Sequence, residues 1–227
     1  GQALSLVTSG GSSTGAVSFT VNSGTCSLNG TLTTLTLGNA GSACSVTATQ
    51  AGDSNYNPVS SSATSITTAQ ATQSALTVTS TTVVYGQTLT LTASGGSTGG
   101  TATYAVTNGS CSVASAVLTV GDAGSTCEVT ATLAGNTNYL PVSSSSTAIT
   151  ITRASQTGVS FTNASSLTYG QTLSLTATGG LGTGAFSFSV TSAGTAGCSI
   201  SSSTLSVTSA GTCDIAVERA QSTNYDV

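Results

Sequence analysis

Residues 83–96 read VVYGQTLTLTASGG, residues 167–180 read LTYGQTLSLTATGG, and the chain opens on GQALSLVTSGG, the same phrase without its first three letters. Aligned on the Gly-Gln, the copies begin at Gly1, Gly86 and Gly170, spacings of 85 and 84 residues. Later landmarks keep the phase. An aromatic falls at Phe19, Tyr104 and Phe188, a first cysteine at Cys26, Cys111 and Cys198, and a second at Cys44, Cys127 and Cys213. An Asn-Tyr pair follows at Asn55-Tyr56, Asn138-Tyr139 and Asn224-Tyr225. A period this long exceeds the ~20 to 50 residues of solenoids and propellers, so each repeat is expected to own a core. The expected domains are residues 1–72, lacking a first strand, 73–154, complete, and 155–227, lacking a last strand.

Within a repeat the apolar residues alternate. QTLTLTA puts Leu89 and Leu91 on one face, TATYAV does so for Ala102, Tyr104 and Val106, and STCEVTATL for Cys127, Val129, Ala131 and Leu133. No segment carries apolar residues at helical spacing, and Thr and Val, stiff at χ1 and favoured on pleated surfaces, dominate the runs. Turn phrases such as SGGSTGG, TNGS and GDAGS separate them. Strands are expected near 76–84, 87–94, 101–107, 110–114, 117–120, 126–133 and 145–152. The fold class read from this is all-β, as tandem immunoglobulin-like sandwiches, for which about seven strands is the expected number. The joins, TSITTAQATQSALTV and STAITITRASQTGVSF, contain no Pro-rich, Gly-rich or charged spacer, which predicts a stiff array.

Composition removes most chemistry. Only 4% of residues are charged, against about 25% in an average soluble domain. Arg153 and Arg219 are the only cations, too few to bind a phosphate backbone, so nucleic acid is excluded as a partner. There is no His, Lys, Met or Trp, which removes the imidazole of a Ser-His-Asp or Cys-His couple and the amine of Schiff-base chemistry. The acidic residues Asp53, Asp122, Glu128, Asp214, Glu218 and Asp226 show no recurrent catalytic spacing. No catalytic residue, cofactor or metal site is expected. No stretch approaches the ~20 apolar residues of a membrane helix, so no membrane insertion is expected in this segment.

Each repeat holds one cysteine pair, 18, 16 and 15 residues apart. This is too long for a CxxC redox or zinc motif and fits one disulfide per domain: Cys26 with Cys44, Cys111 with Cys127, Cys198 with Cys213. Free buried thiols acting as small hydrophobes are the alternative. Disulfides imply an oxidising compartment, hence a secreted or cell-surface protein.

The phrases YGQTLTLTA, GTATYAV, AGSTCEVTATLAGNTNYLPV and their copies resemble the bacterial immunoglobulin-like repeats found in tandem in large secreted and surface proteins, many of them adhesins. The resemblance covers all three repeats. The third departs from it in reading AVERAQSTNYDV and in placing its first cysteine later after its aromatic. It implies a stalk or fibre role, with neighbouring Ig-like domains of a longer chain as partners, and no catalytic residue.

Four local features admit more than one reading. DSNYN, residues 53–57, spaces three oxygen ligands as a calcium loop would, or it is a polar loop anchored by its Tyr. Glu218-Arg219 is the only close opposite-charge pair in sequence and reads as a solvated rim. Asn29, Asn108 and Asn163 head N-glycosylation sequons, in a chain so rich in Ser and Thr that sequons also arise by chance. The Thr-x-Thr runs suit ice-binding ladders only on a flat short-period solenoid, which an 84-residue period is not. The leading expectation is a non-catalytic extracellular stalk or fibre. A self-assembling filament or sheath subunit, with copies completing the terminal sandwiches, is the first alternative, and a glycan-binding array the second.

Overall fold

The computed structural model describes residues 3–163 and 165–227. Gly1, the start of the first repeat, and Ala164, inside the Asn163 sequon, lie outside the described residues. The described chain is all strand, turn and loop, and it forms two compact bodies. The first comprises Gly1–Thr77, Ser94–Thr103 and Ala131–Ser144; the second comprises Val78–Ala93, Tyr104–Thr130 and Ser145–Val227.

In the first body, Ala43–Gln50 runs antiparallel to Val17–Gly24 on one edge and to Val59–Ser60 and Thr64–Thr67 on the other. A second sheet orders Ala3–Ser5, Thr34–Thr36 and Ser27–Leu28. Alternation sends Cys44 and Val46 inward against Leu35, which is fully buried, and Leu6, Val21, Leu28, Leu37 and Ile66 close around them. The long hairpin ends at Gly24, which has φ +102° and whose Cβ, if present, would strike the Ala43 carbonyl, so only glycine fits there.

In the second body, Thr88–Thr90, Val117–Thr119 and Ser112–Ala114 form one sheet with Leu118 at its buried centre. Thr82–Val84 pairs parallel with Thr150–Thr152, and Thr147–Ala148 pairs antiparallel with Glu128 and Val129. Further along, Phe186–Ser192 pairs with Asp214–Arg219, Val159–Phe161 with Ala177–Gly179, and Thr204–Ser206 lies between Thr172–Ser174 and Ser199–Ser201. Leu175, Ala196, Cys198 and Leu205 are the buried centre of that cluster, and Phe161 stacks on Phe188 at 5.9 Å.

Several expected strands are interrupted. The run near 76–84 divides into Leu76–Val78 and Thr82–Val84, because Ser80 Oγ accepts the Thr92 amide at 3.0 Å while the chain turns toward Thr150–Thr152. The run near 87–94 divides into Thr88–Thr90 and Ala93–Gly95, and that near 145–152 into Thr147–Ala148 and Thr150–Thr152. Each changes its pairing partner midway, and periodicity cannot register such a change. Val142–Ser143 is an additional short strand, opposite Thr132 and Leu133.

Three disulfides join Cys26 to Cys44, Cys111 to Cys127 and Cys198 to Cys213, with Cα separations of 5.9, 5.8 and 6.2 Å, within the range a disulfide spans. Closing loops of 15 to 18 residues stabilises each by about 3 kcal/mol in the chain-entropy account. Alkylation without reductant should therefore leave the intact mass unchanged, and reduction should expose six alkylatable thiols; labelling before reduction would contradict this.

The hairpin turn between the first cysteine and the buried Leu recurs with a left-handed residue at Leu32 (φ 56°), Ser115 (φ 56°) and Ser202 (φ 57°). A left-handed conformation costs an ordinary residue roughly 1–2 kcal/mol, and Asn tolerates it better. Leu32 is also exposed, so little packing is lost on replacing it. Leu32→Asn is expected to raise the melting temperature of the first body, and a lower value in calorimetry would contradict the assignment.

Candidate functional site

Two segments with matching chemistry, QATQ at 70–73 and RASQ at 153–156, follow the closing strands of the first and second repeats. Each lies wholly inside one compact body, and each is held by the same set of bonds. In the first body the Ala71 amide donates to the Asn138 carbonyl at 2.9 Å, and the Leu140 amide donates to the Ala71 carbonyl at 2.9 Å. In the second body the Ala154 amide donates to the Asn224 carbonyl at 2.9 Å, and the Asp226 amide to the Ala154 carbonyl at 3.0 Å. These are single parallel bridges, Ala71 to Tyr139 and Ala154 to Tyr225.

The side chains of the two asparagines then reach back to the preceding repeat. The Ala40 amide donates to Asn138 Oδ1 at 2.8 Å, and Asn138 Nδ2 donates to Asn39 Oδ1 at 3.0 Å. The Ala123 amide donates to Asn224 Oδ1 at 2.8 Å, and Asn224 Nδ2 donates to Asp122 Oδ1 at 2.8 Å. A side-chain amide suits this position because it presents an acceptor and a donor together. The receiving loops, GNAGS and GDAGS, turn on Gly41 (φ +80°) and Gly124 (φ +75°). Those glycines donate in turn to the carbonyls of Thr68 and Ile151, tying each loop to the strand that leads into the join.

A glutamine completes each join. Gln73 is buried and donates to the carbonyls of Leu140 at 2.9 Å and Ala134 at 3.2 Å, while its Oε1 accepts the Ser97 and Thr98 amides. Gln156 donates to Asp226 at 2.6 Å and to Ala220 at 3.2 Å, and accepts from the Gly182 amide. In the second body Tyr225 also meets Tyr85 edge-on at 5.6 Å, and Arg153 bonds the Ser222 carbonyl at 3.0 Å and pairs with Asp226 at 3.9 Å. That exposed pair contributes little by itself.

The remaining sequence candidates fall elsewhere. Arg219 does not pair with Glu218: it donates to the carbonyls of Gly179, Gly180 and Gly184 and lies over the Phe186 ring at 4.9 Å, because alternation along Asp214–Arg219 sends the two side chains to opposite faces. Asp53 faces donors. Its Oδ2 accepts the Thr14 amide at 2.8 Å and the Thr14 hydroxyl, and its Oδ1 accepts the amides of Asn55 and Tyr56. Among the described residues no group of three or more His, Cys, Asp or Glu is placed to hold a metal ion. Asn29 Oδ1 accepts the Thr33 and Thr34 amides, and its Nδ2 donates to the sequon hydroxyl of Thr31 at 2.8 Å. Asn108 is exposed on the strand Thr103–Gly109. Asn163 braces a strand end by donating to the Ser174 carbonyl and accepting the Thr176 amide. Tyr56, the tyrosine of the first Asn-Tyr pair, is 51% exposed, whereas Tyr139 and Tyr225 are half-buried.

Neither a family model nor a curated protein matches this chain. What the joins themselves offer is hydrogen bonding and packing.

The backbone amides aimed at Asp53, that of Thr14 foremost, hold its carboxyl below the usual 3.8. A depressed acid stabilises the fold above its unfolded value and loses that contribution as pH falls through its folded value. The melting-temperature advantage of the wild type over Asp53→Asn in the first body should thus be present at neutral pH and be lost as acidification carries the pH below the ordinary carboxylate range. A difference independent of pH would contradict it.

Proposed function

We propose that this protein is a non-catalytic structural chain of the extracellular space, an array of immunoglobulin-like repeats that serves as a cell-surface stalk or fibre of the adhesin type. The observation that carries this reading is the join built twice from the same parts: an Asn locked onto the preceding repeat's loop, a paired Ala, and a Gln bound to backbone on both sides of its amide. A chain selected for catalysis or for a single ligand has no need to write the same connection again at the same spacing. A chain selected to transmit force or hold distance does, because a load is carried by every connection in series.

Three disulfides support placement in an oxidising compartment, and no helix among the described residues is long and apolar enough to cross a membrane. The resemblance of the repeat phrases to bacterial immunoglobulin-like repeats agrees with this role. So does the near absence of charge, which leaves little electrostatic cost to side-by-side packing of chains.

The test is the paired variant Asn138→Ala, Asn224→Ala, compared with the wild type by small-angle scattering and calorimetry. Each substitution removes two hydrogen bonds worth roughly 0.5–1.5 kcal/mol apiece. The expected result is a broadened distribution of interatomic distances with little change in the unfolding of the repeats. A wild-type chain already as flexible as the variant would contradict a stalk built on rigid joins.

A further inference from the structure

In every repeat the strand that carries the aromatic Phe19, Tyr104 or Phe188 has one open edge. Val17–Gly24, Thr103–Gly109 and Phe186–Ser192, eight, seven and seven residues long, pair with Ala43–Gln50, Cys127–Leu133 and Asp214–Arg219 respectively and, among the described residues, with no strand on their other side. The closing strands Thr64–Thr67 and Thr147–Ala148 lie across the sheet, beyond Ala43–Gln50 and Cys127–Leu133, so they do not compete for this edge. The second repeat, with its closing strand in place, leaves the edge as open as the other two do.

Such edges are ordinarily guarded by shortness, by lysine or proline, by an inward charge or by a bulge. Edge strands of the other sheets, such as Ser112–Ala114 and Ser199–Ser201, are guarded by being three residues long. The long edges read VSFTVNSG, TYAVTNG and FSFSVTS, without a charge or a proline. Their bulges come late, between Val21 and Ser23 and between Val190 and Ser192, so residues 17–21 and 186–190 keep a regular register. Phe19, Tyr104 and Phe188 are half-buried, while the residues alternating with them, Ser18, Thr20, Ala105, Ser187 and Ser189, are exposed and small.

We propose that this edge is a self-association surface, and that its occupant is the same edge of a second copy of the chain, paired antiparallel. Antiparallel pairing of identical strands is two-fold symmetric, so the edge is its own complement. Pairing centred on Phe19 sets Ser18 opposite Thr20 across the two-fold, and pairing centred on Phe188 sets Ser187 opposite Ser189. Hydroxyl pairs of this kind stabilise neighbouring strands. In the second repeat the centre falls on Ala105, with Thr103 opposite Thr107. The edge carries no charge by which a different partner would be selected, whereas a copy matches it in length, alternation and side-chain size at each repeat, and like meets like without repulsion. The proposal does not rest on the stalk role.

Sedimentation of the oxidised 227-residue chain over a range of concentrations tests it. One comparison variant carries Thr20→Lys, Ala105→Lys and Ser189→Lys, which place a like charge on each edge. A charge-matched variant carries Thr36→Lys, Thr119→Lys and Thr204→Lys, at exposed positions on the middle strand of each repeat's other sheet. The wild type and the charge-matched variant should associate alike, and the edge variant should require about tenfold or more higher concentration. In the wild type, raising the concentration should slow hydrogen exchange at amides within 17–21, 104–106 and 186–190. That measurement needs no substitution, so it decides even if a variant is unstable. A wild type that stays monomeric up to about 1 mM, equal weakening in both variants, or exchange slowed only at other strands would overturn the assignment.

Discussion

The side-chain amides of Asn138 and Asn224 each close two hydrogen bonds on a loop belonging to the repeat before them, and in both places the backbone of the same Asn is paired to an Ala of the join. In a chain with so few charges, these short directional bonds take the role that ion pairs and polar rims take elsewhere. Hydrogen bonds of this kind are individually modest, yet they fall in a fixed geometry, two on the backbone of each join Ala and two more from the side chain of each Asn. That concentration makes a join out of a segment which, judged by composition, is only a short polar linker.

Everything inside a repeat serves to hold the two ends of such a join in place. The disulfide closes a covalent loop that contains the receiving segment: Cys26 lies just ahead of Ser27–Leu28, and Cys44 follows, on Ala43–Gln50, the loop at 38–41 that Asn138 grips. Cys111 and Cys127 bracket the loop that Asn224 grips in the same way. The cross-link therefore restrains the receiving loop from both sides, a second role besides its effect on the unfolded chain. In the third repeat the equivalent loop is one residue shorter and carries Ser209 where the others carry Asn39 and Asp122.

Much of the fold was legible because periodicity records burial. The alternation in STCEVTATL reports that Cys127, Val129, Ala131 and Leu133 share one face, and all four are buried. The repetition of sequence marked by Gly1, Gly86 and Gly170 returns in the structure as the left-handed residues Leu32, Ser115 and Ser202. The joins were not legible. Asn-Tyr looked like a loop marker whose Tyr packs locally, yet its Asn works on residues 98 to 102 positions away in sequence. A hydrogen bond at that range leaves no periodic trace. The one available signal was the recurrence of a Gln at Gln73 and Gln156, each three residues before the strand that follows it. The solvated-rim reading of Glu218-Arg219 describes Glu218, which is exposed, but not Arg219: adjacency in sequence means opposite faces in a strand, and the guanidinium meets three carbonyls and an aromatic ring.

Hydrogen exchange at the amides of Ala40 and Ala123 measures the joins most directly. Both amides sit in surface loops outside any sheet, and each has a single partner, the side-chain oxygen of an Asn from the following repeat. Protection of both to a degree approaching that of strand amides is expected if the joins are closed in solution. Exchange as fast as in an unstructured loop would mean that the repeats are tethered without being docked, and the structural role built on those joins would fall with them.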